Sequence, residues 1–167
     1  MAAVSHRVEG LVRQIPQVGF HRGDERCHRS ARCRREMIGL DTNVLVRYIM
    51  QDETKQAPLA ARLVESLSAQ SPGFLPLVAV VELSWVLSSA YGLGRDQLVE
   101  AFEGVLRAKE LVTERADLVW KALRAFQSAN ADFADCLIAL SAASAGCEKT
   151  MTFDRAAAKT GGMTLLV

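Results

Sequence analysis

Four acidic residues stand where their type and surroundings point to chemistry. Glu82 interrupts Val78-Ala79-Val80-Val81-Glu82-Leu83-Ser84-Trp85-Val86-Leu87, and Asp135 lies among Phe133, Ala134, Cys136, Leu137 and Ile138. An ionised carboxylate enclosed by apolar side chains needs a counter-charge, because desolvation costs several kcal/mol without one. Neither segment supplies an adjacent Lys or Arg. Asp41 and Asp154 each follow a short apolar run directly, which in a parallel sheet places them at the carboxyl edge where open α/β folds bind ligands. If Glu82 and Asp135 project toward that edge, four carboxylates share one cleft. At an effective dielectric of about 20, two charges about 5 Å apart repel by roughly 3 kcal/mol, so the group must take up protons or a cation. At neutral pH a cation is expected, and oxygen-only ligands select Mg²⁺ or Mn²⁺ over zinc.

Each acid also has a plainer reading. Asp41 and Asp154 can each cap a following helix, and Asp132 is a natural cap with Asp135 near the positive end of the same helix dipole. Glu82 can sit at the rim of an oligomer. Taken together these readings require four coincidences. Thr42 and Asn43 fit a supporting role, orienting Asp41 and a water.

The elements that must position these residues are legible in outline. Residues 37–40 read as a strand and 44–50 as a helix. Residues 54–70 place Ala57, Leu59, Ala60, Leu63, Val64 and Leu67 on one helical face, with Pro58 tolerated only in the first turn. After the turn Ser71-Pro72-Gly73, Phe74-Leu75 is a short strand and 77–90 a helix closed by Gly92 and Gly94. Residues 96–108 form an amphipathic helix through Leu98, Val99, Phe102, Val105 and Leu106; 110–114 is a strand candidate. Residues 116–127 bury Val119, Trp120, Leu123 and Phe126, and Asp132 opens a helix that Gly146 ends. Strand composition at 149–153, a short helix at 154–159 and a strand at 163–167 complete the chain. Alternating helices and short apolar strands predict an α/β fold with a mainly parallel sheet covered on both faces. An all-helical bundle is the structural alternative.

Composition narrows the class. The chain has 167 residues, half hydrophobic, 23% charged and with four prolines, which suits one folded domain rather than a disordered chain. No apolar run approaches the roughly 18 residues of a membrane span, so a soluble protein is expected. The net charge of +1 hides an asymmetry: residues 1–36 hold eight arginines and four acids, while residues 37–167 hold twelve Lys and Arg against fifteen acids. All three histidines, His6, His21 and His28, precede residue 37, so the remaining chain performs its chemistry without imidazole. Residues 1–36 lack a secretory core, and Pro16, Gly19 and Gly23 interrupt any transit-peptide helix. His21, Cys27, His28 and Cys33 lack the paired spacing of a zinc site. A basic arm on nucleic acid is one reading of the extension; a misassigned start upstream of Met37 is the favoured one. Cys136 and Cys147, about 16 Å apart on one helix, read as buried free thiols suited to a reducing cytoplasm.

The segments Leu40-Asp41-Thr42-Asn43-Val44, Val81-Glu82-Leu83, Asp132-Phe133-Ala134-Asp135-Cys136-Leu137-Ile138-Ala139 and Thr152-Phe153-Asp154, in this order, resemble the PIN-domain family. More narrowly they resemble the VapC-type toxins of bacterial type II toxin–antitoxin systems. The resemblance covers residues 37–167; residues 1–36 have no counterpart in it. It implies a three-layer α/β/α domain and an acidic quartet of Asp41, Glu82, Asp135 and Asp154 that holds Mg²⁺ or Mn²⁺. It also implies a metal-dependent endoribonuclease of the cytoplasm, commonly a homodimer, restrained by a cognate antitoxin protein. Asp132 matches a frequent acid of that segment, its role open between cap and supporting residue.

Such a site can neutralise charge developing on a phosphodiester and make a water acidic enough to attack in line, leaving a 5′-phosphate and a 3′-hydroxyl on single-stranded RNA. Lack of histidine beyond residue 36 argues against an imidazole-based ribonuclease. With the domain net negative, phosphate contacts fall to local residues such as Arg155, Lys159 and Arg47, each of which taken singly reads more simply as a solvated surface charge. The competing readings are a catalytically silent RNA- or protein-binding module and a phosphoryl-transfer domain with Asp41 as nucleophile. Asn43, in place of an acid two residues after Asp41, weakens the last.

Overall fold

The computed structural model describes residues 36–167. The readings placed on the basic extension, including the zinc reading of His21, Cys27, His28 and Cys33, lie outside the described residues.

The element order is β1 (Ile38–Gly39), α1 (Thr42–Met50), α2 (Ala57–Ser66), β2 (Gly73–Leu75), α3 (Leu77–Ser89), α4 (Arg95–Arg107), β3 (Leu111–Thr113), α5 (Ala116–Ser128), α6 (Phe133–Ser144), β4 (Met151–Thr152), α7 (Arg155–Thr160) and β5 (Thr164–Leu165). Every strand pairing is parallel. β1, β2 and β3 form one sheet in that order, and β4 pairs with β5 in a second, two-stranded ladder. Helices cover the strands, giving the three-layer α/β/α arrangement the alternation predicts and excluding an all-helical bundle.

The registers explain several small residues. Ile38 pairs with Gly73 and Gly39 with Phe74, and the Leu40 N–H donates to the Phe74 carbonyl at 2.8 Å, carrying the ladder up to Asp41. A Cβ on Gly73 would come within 2.7 Å of Leu40 Cδ1 and 2.8 Å of Leu67 Cδ1, so any larger residue there would push these leucine side chains aside. Gly92 takes φ +66°; with it the Leu93 N–H reaches the Leu87 carbonyl at 3.0 Å and the Gly92 N–H that of Ser88 at 3.1 Å. These bonds satisfy the carbonyls at the end of α3 and turn the chain toward α4.

Leu45, Leu75, Leu83, Leu87, Phe102 and Leu123 are fully buried at the centre of the core. Phe102 of α4 stacks on Phe133 of α6 with ring centroids 4.8 Å apart, and Phe126 of α5 meets Phe133 edge-on at 6.1 Å. Aromatic pairs in these geometries add about 0.5–1.5 kcal/mol beyond their buried area. They pin the start of α6, where Asp132 and Asp135 stand.

Several expectations need correction. Leu59 is exposed, so α2 buries a narrower face, Ala57 and Ala60, than its apolar positions suggest. Cys147 is exposed just beyond α6, so of these two only Cys136 is a buried thiol. Trp120 and Leu106 are half-buried. Glu82 is not enclosed: Val78, Glu82 and Trp85 share a stripe of α3 that faces outward, while Ala79, Val80, Leu83, Ser84 and Leu87 face the core. A helix apolar on every side leaves its buried face to tertiary packing, and α3 presents only part of its circumference to its neighbours. Among the described residues no helix is long and apolar enough to cross a membrane.

Candidate metal and nucleic-acid site

Asp41 leaves β1 and takes the N-cap position of α1 with extended backbone, φ −80° and ψ 155°, yet its side chain makes no capping bond. Instead the Asn43 amide Nδ2 donates to Asp41 Oδ2 at 3.0 Å, fixing the carboxylate beside the helix start. Thr42 is 3% exposed, and its hydroxyl donates to Glu82 Oε2 at 2.7 Å across 40 residues of sequence. That bond ties α1 to α3 and orients the Glu82 carboxylate in solvent.

Asp132 likewise occupies an N-cap position, at α6, and likewise makes no capping bond with its side chain. Asp135 is half-buried, and its carboxyl is held above the ordinary range by desolvation first and then by the charges of Asp132 and Asp154. Asp154 does act as a cap: its Oδ1 accepts from the N–H groups of Ala156 at 2.6 Å and Ala157 at 3.1 Å, and its own N–H donates to Thr152 Oγ1 at 2.9 Å. Of three aspartates at helix starts, one caps with its side chain and two leave theirs for other work.

The structure thus places Asp154 and Asp132 in the electrostatic field of Asp135, and joins Glu82 to the residue after Asp41. It does not close three of these side chains on one point: among the described residues no group of three or more His, Cys, Asp or Glu has metal-holding geometry. A carboxyl whose proton affinity is raised by burial and by neighbouring acids, as that of Asp135 is, is nevertheless the donor chemistry that a hard divalent ion relieves, and the donors available are oxygens alone. The residues therefore suit Mg²⁺ or Mn²⁺ in kind.

The basic residues divide. Arg47 is committed within the fold: Nη1 meets Asp52 Oδ1 at 2.9 Å and the Tyr91 hydroxyl at 3.0 Å, and Nε donates to Gln56 at 3.1 Å. Tyr91 donates to Asp52 Oδ2 at 2.6 Å, which with Arg47 holds that carboxyl below its usual range. These bonds give Arg47 a role within the fold, tying α1 to the loop at Asp52 and to Tyr91. Arg155 and Lys159 are exposed on α7 and, among the described residues, form no ion pair.

Arg95 is a supporting residue that periodicity passes over. Its Nη1 donates to the Phe126 carbonyl and its Nη2 to that of Ala131 at 3.3 Å, while the guanidinium lies 4.0 Å from the Phe126 ring centroid. It clamps the turn from α5 into Asp132. The sequence does carry a signal for it: a cation opening a helix works against the helix dipole and implies a partner elsewhere.

The PIN domain family model matches residues 38–163, a span that contains all of Asp41, Glu82, Asp132, Asp135 and Asp154. A VapC ribonuclease of Aquifex aeolicus (strain VF5) is 25% identical to this chain over 126 residues, 75% of this chain and 93% of the relative.

Proposed function

The chain belongs to the PIN domain family, and on that premise we propose that it is a Mg²⁺- or Mn²⁺-dependent endoribonuclease, the toxin of a type II toxin–antitoxin pair. Asp41, Glu82, Asp135 and Asp154 are the proposed ligands. The observation that carries the reading is the placement of Asp132 and Asp154 close enough to act on the half-buried Asp135 carboxyl at the start of α6, while Asp41 at the start of α1 and Asp132 at the start of α6 both leave their side chains uncommitted to capping. A divalent ion held there supplies charge neutralisation for the scissile phosphodiester and a more acidic attacking water.

The chain's own residues do the rest. Asn43 aims Asp41 through the hydrogen bond its side-chain amide donates, and Thr42 aims Glu82. Arg95 and the Phe102, Phe126 and Phe133 cluster hold Asp132 and Asp135 at the start of α6. Asp154 keeps one oxygen on the α7 amides and has its other for the site. Arg155 and Lys159 attract the RNA backbone into an otherwise acidic region. The outward stripe of Val78 and Trp85, with Ile138 exposed on α6, suits contacts with a second copy or with an antitoxin. A cytoplasmic protein acting on single-stranded RNA fits this set.

The test is cleavage of single-stranded RNA by purified protein with Mn²⁺ or Mg²⁺ against chelator, reading the ends produced. Metal-dependent cleavage with 5′-phosphate ends supports the reading, provided Asp41→Asn and Asp135→Asn abolish it. RNA affinity with no turnover in either metal would instead identify a silent binding module.

A further inference from the structure

Phe153 is 80% exposed, which makes it the most exposed large apolar residue described apart from the C-terminal Val167. Other phenylalanines of the domain behave differently: Phe102, Phe126 and Phe133 are buried against one another, and Phe74 is half-buried in β2. Phe153 gives up the burial the others gain, at a place where the backbone is tightly held. Thr152 pairs with Leu165 across the β4–β5 ladder, and its carbonyl accepts the Leu166 N–H at 2.8 Å. Asp154 binds Thr152 Oγ1 through its N–H and two α7 amides through Oδ1. The ring is therefore presented from a fixed backbone, directly before a carboxylate whose charge Asp135 feels.

Two residues further on, the exposed face of α7 carries Arg155 and Lys159 one turn apart, outside any ion pair among the described residues. A rigid exposed aromatic followed by two such cations matches what unpaired nucleic acid offers: a base with a π-face, then phosphates. We propose that Phe153 is a substrate-binding residue on which an unpaired base of single-stranded RNA stacks, while Arg155 and Lys159 take the adjoining phosphates. This deepens the ribonuclease reading and rests on it. Stacking of this kind tolerates any base, so Phe153 sets strand geometry at the carboxylates rather than sequence preference.

The test is binding of a fluorescein-labelled single-stranded RNA by the full chain in chelator, where no cleavage interferes, followed by anisotropy. Removal of a stacking aromatic weakens nucleic-acid binding by about 5- to 150-fold, so Phe153→Ala is expected to lose affinity in that range. Phe153→Trp retains it, and Phe153→Leu, apolar but without a π-face, does not. An abasic strand of the same length binds wild type and Phe153→Ala equally. Leu59→Ala, another exposed apolar truncation, leaves binding unchanged.

The inference is overturned if Phe153→Ala binds base-bearing RNA as wild type does, or loses the abasic strand equally. It is overturned too if the variant keeps its RNA affinity while sedimentation shows a self-association abolished, which would assign Phe153 to an interface between copies. Cleavage by wild type in Mn²⁺ separates the two levels. If it cleaves RNA and Phe153 proves dispensable, the stacking inference alone falls; if wild type neither binds nor cleaves RNA, both fall.

Discussion

The buried hydroxyl of Thr42 donates to the exposed carboxylate of Glu82 at 2.7 Å, joining the first residue of α1 to the outer stripe of α3. Glu82 is thereby oriented without being desolvated. Its role depends on direction, and Thr42 sets that direction.

Loss of this bond should be felt in activity more than in folding. Supporting hydrogen bonds to metal ligands are worth about 10- to 100-fold in metal affinity or activity. Thr42→Val, which preserves shape, should reduce RNA cleavage by that factor, whereas Thr42→Ser should remain near wild type. Steady-state cleavage rates at saturating and limiting Mn²⁺ check this, and equal rates for Val and Ser variants would contradict it.

Asp135 makes a pH prediction with a definite sign. Its folded carboxyl lies above the ordinary 3.8, through desolvation and then Asp132 and Asp154. The folded chain therefore holds that proton more tightly than the unfolded one. Its stabilising contribution is full below about pH 3.8 and is lost as pH rises through the folded value. At neutral pH, in chelator, the ionised group opposes folding, so Asp135→Asn should raise the melting temperature there, with the gain vanishing toward about pH 3.5. Mn²⁺ should stabilise wild type at neutral pH and leave the variant nearly unchanged. Thermal melts across pH decide this; an Asn variant less stable than wild type at neutral pH contradicts it.

Arg95 should behave as a positioning residue. Hydrogen bonds to charged groups contribute about 1.5–3 kcal/mol, so Arg95→Met should destabilise the fold by an amount in that range. RNA cleavage should fall as well, with RNA affinity in chelator preserved, because the turn into Asp132 loosens. Denaturant melts and binding isotherms separate these effects, and a loss of RNA affinity matching the loss of rate would make Arg95 a substrate contact instead.

The cations should sort by their partners. Arg47→Ala breaks the bonds to Asp52, Gln56 and Tyr91 and should lower the melting temperature slightly with RNA affinity kept. Paired substitution of Arg155 and Lys159 by Ala should weaken RNA binding and make it less sensitive to salt. The slope of log affinity against log salt should shrink by about 0.7 for each phosphate no longer neutralised. Binding isotherms at several salt concentrations measure both; an unchanged slope in the paired variant contradicts the assignment.

The order of elements is legible in the sequence because helices of this length carry their period clearly and Gly73, Gly92 and Gly146 mark turns that need glycine or a close approach. Asp41 and Asp154 can be placed because each ends a short strand. Glu82 departs from expectation in one respect: a segment apolar on all sides conceals which stripe faces solvent, and the stripe Val78, Glu82 and Trp85 does. Asp135 is half-buried with Ile138 exposed three residues on, so the enclosure expected of it holds only in part. Arg47 departs further, because its partners Asp52, Gln56 and Tyr91 come from loop and helix ends that periodicity does not bring together. Capping is a reading the sequence offers equally for Asp41, Asp132 and Asp154, and only the three-dimensional geometry shows that Asp154 alone of the three caps with its side chain.

If carboxylates distant in the chain jointly hold one hard divalent ion, calorimetric titration of Mn²⁺ into chelator-stripped protein will register it. One ion per chain, with affinity lost in Asp41→Asn and in Asp135→Asn while both variants stay folded, is the predicted result. Wild-type Mn²⁺ affinity in both variants, or RNA cleavage that persists undiminished in chelator, would contradict it.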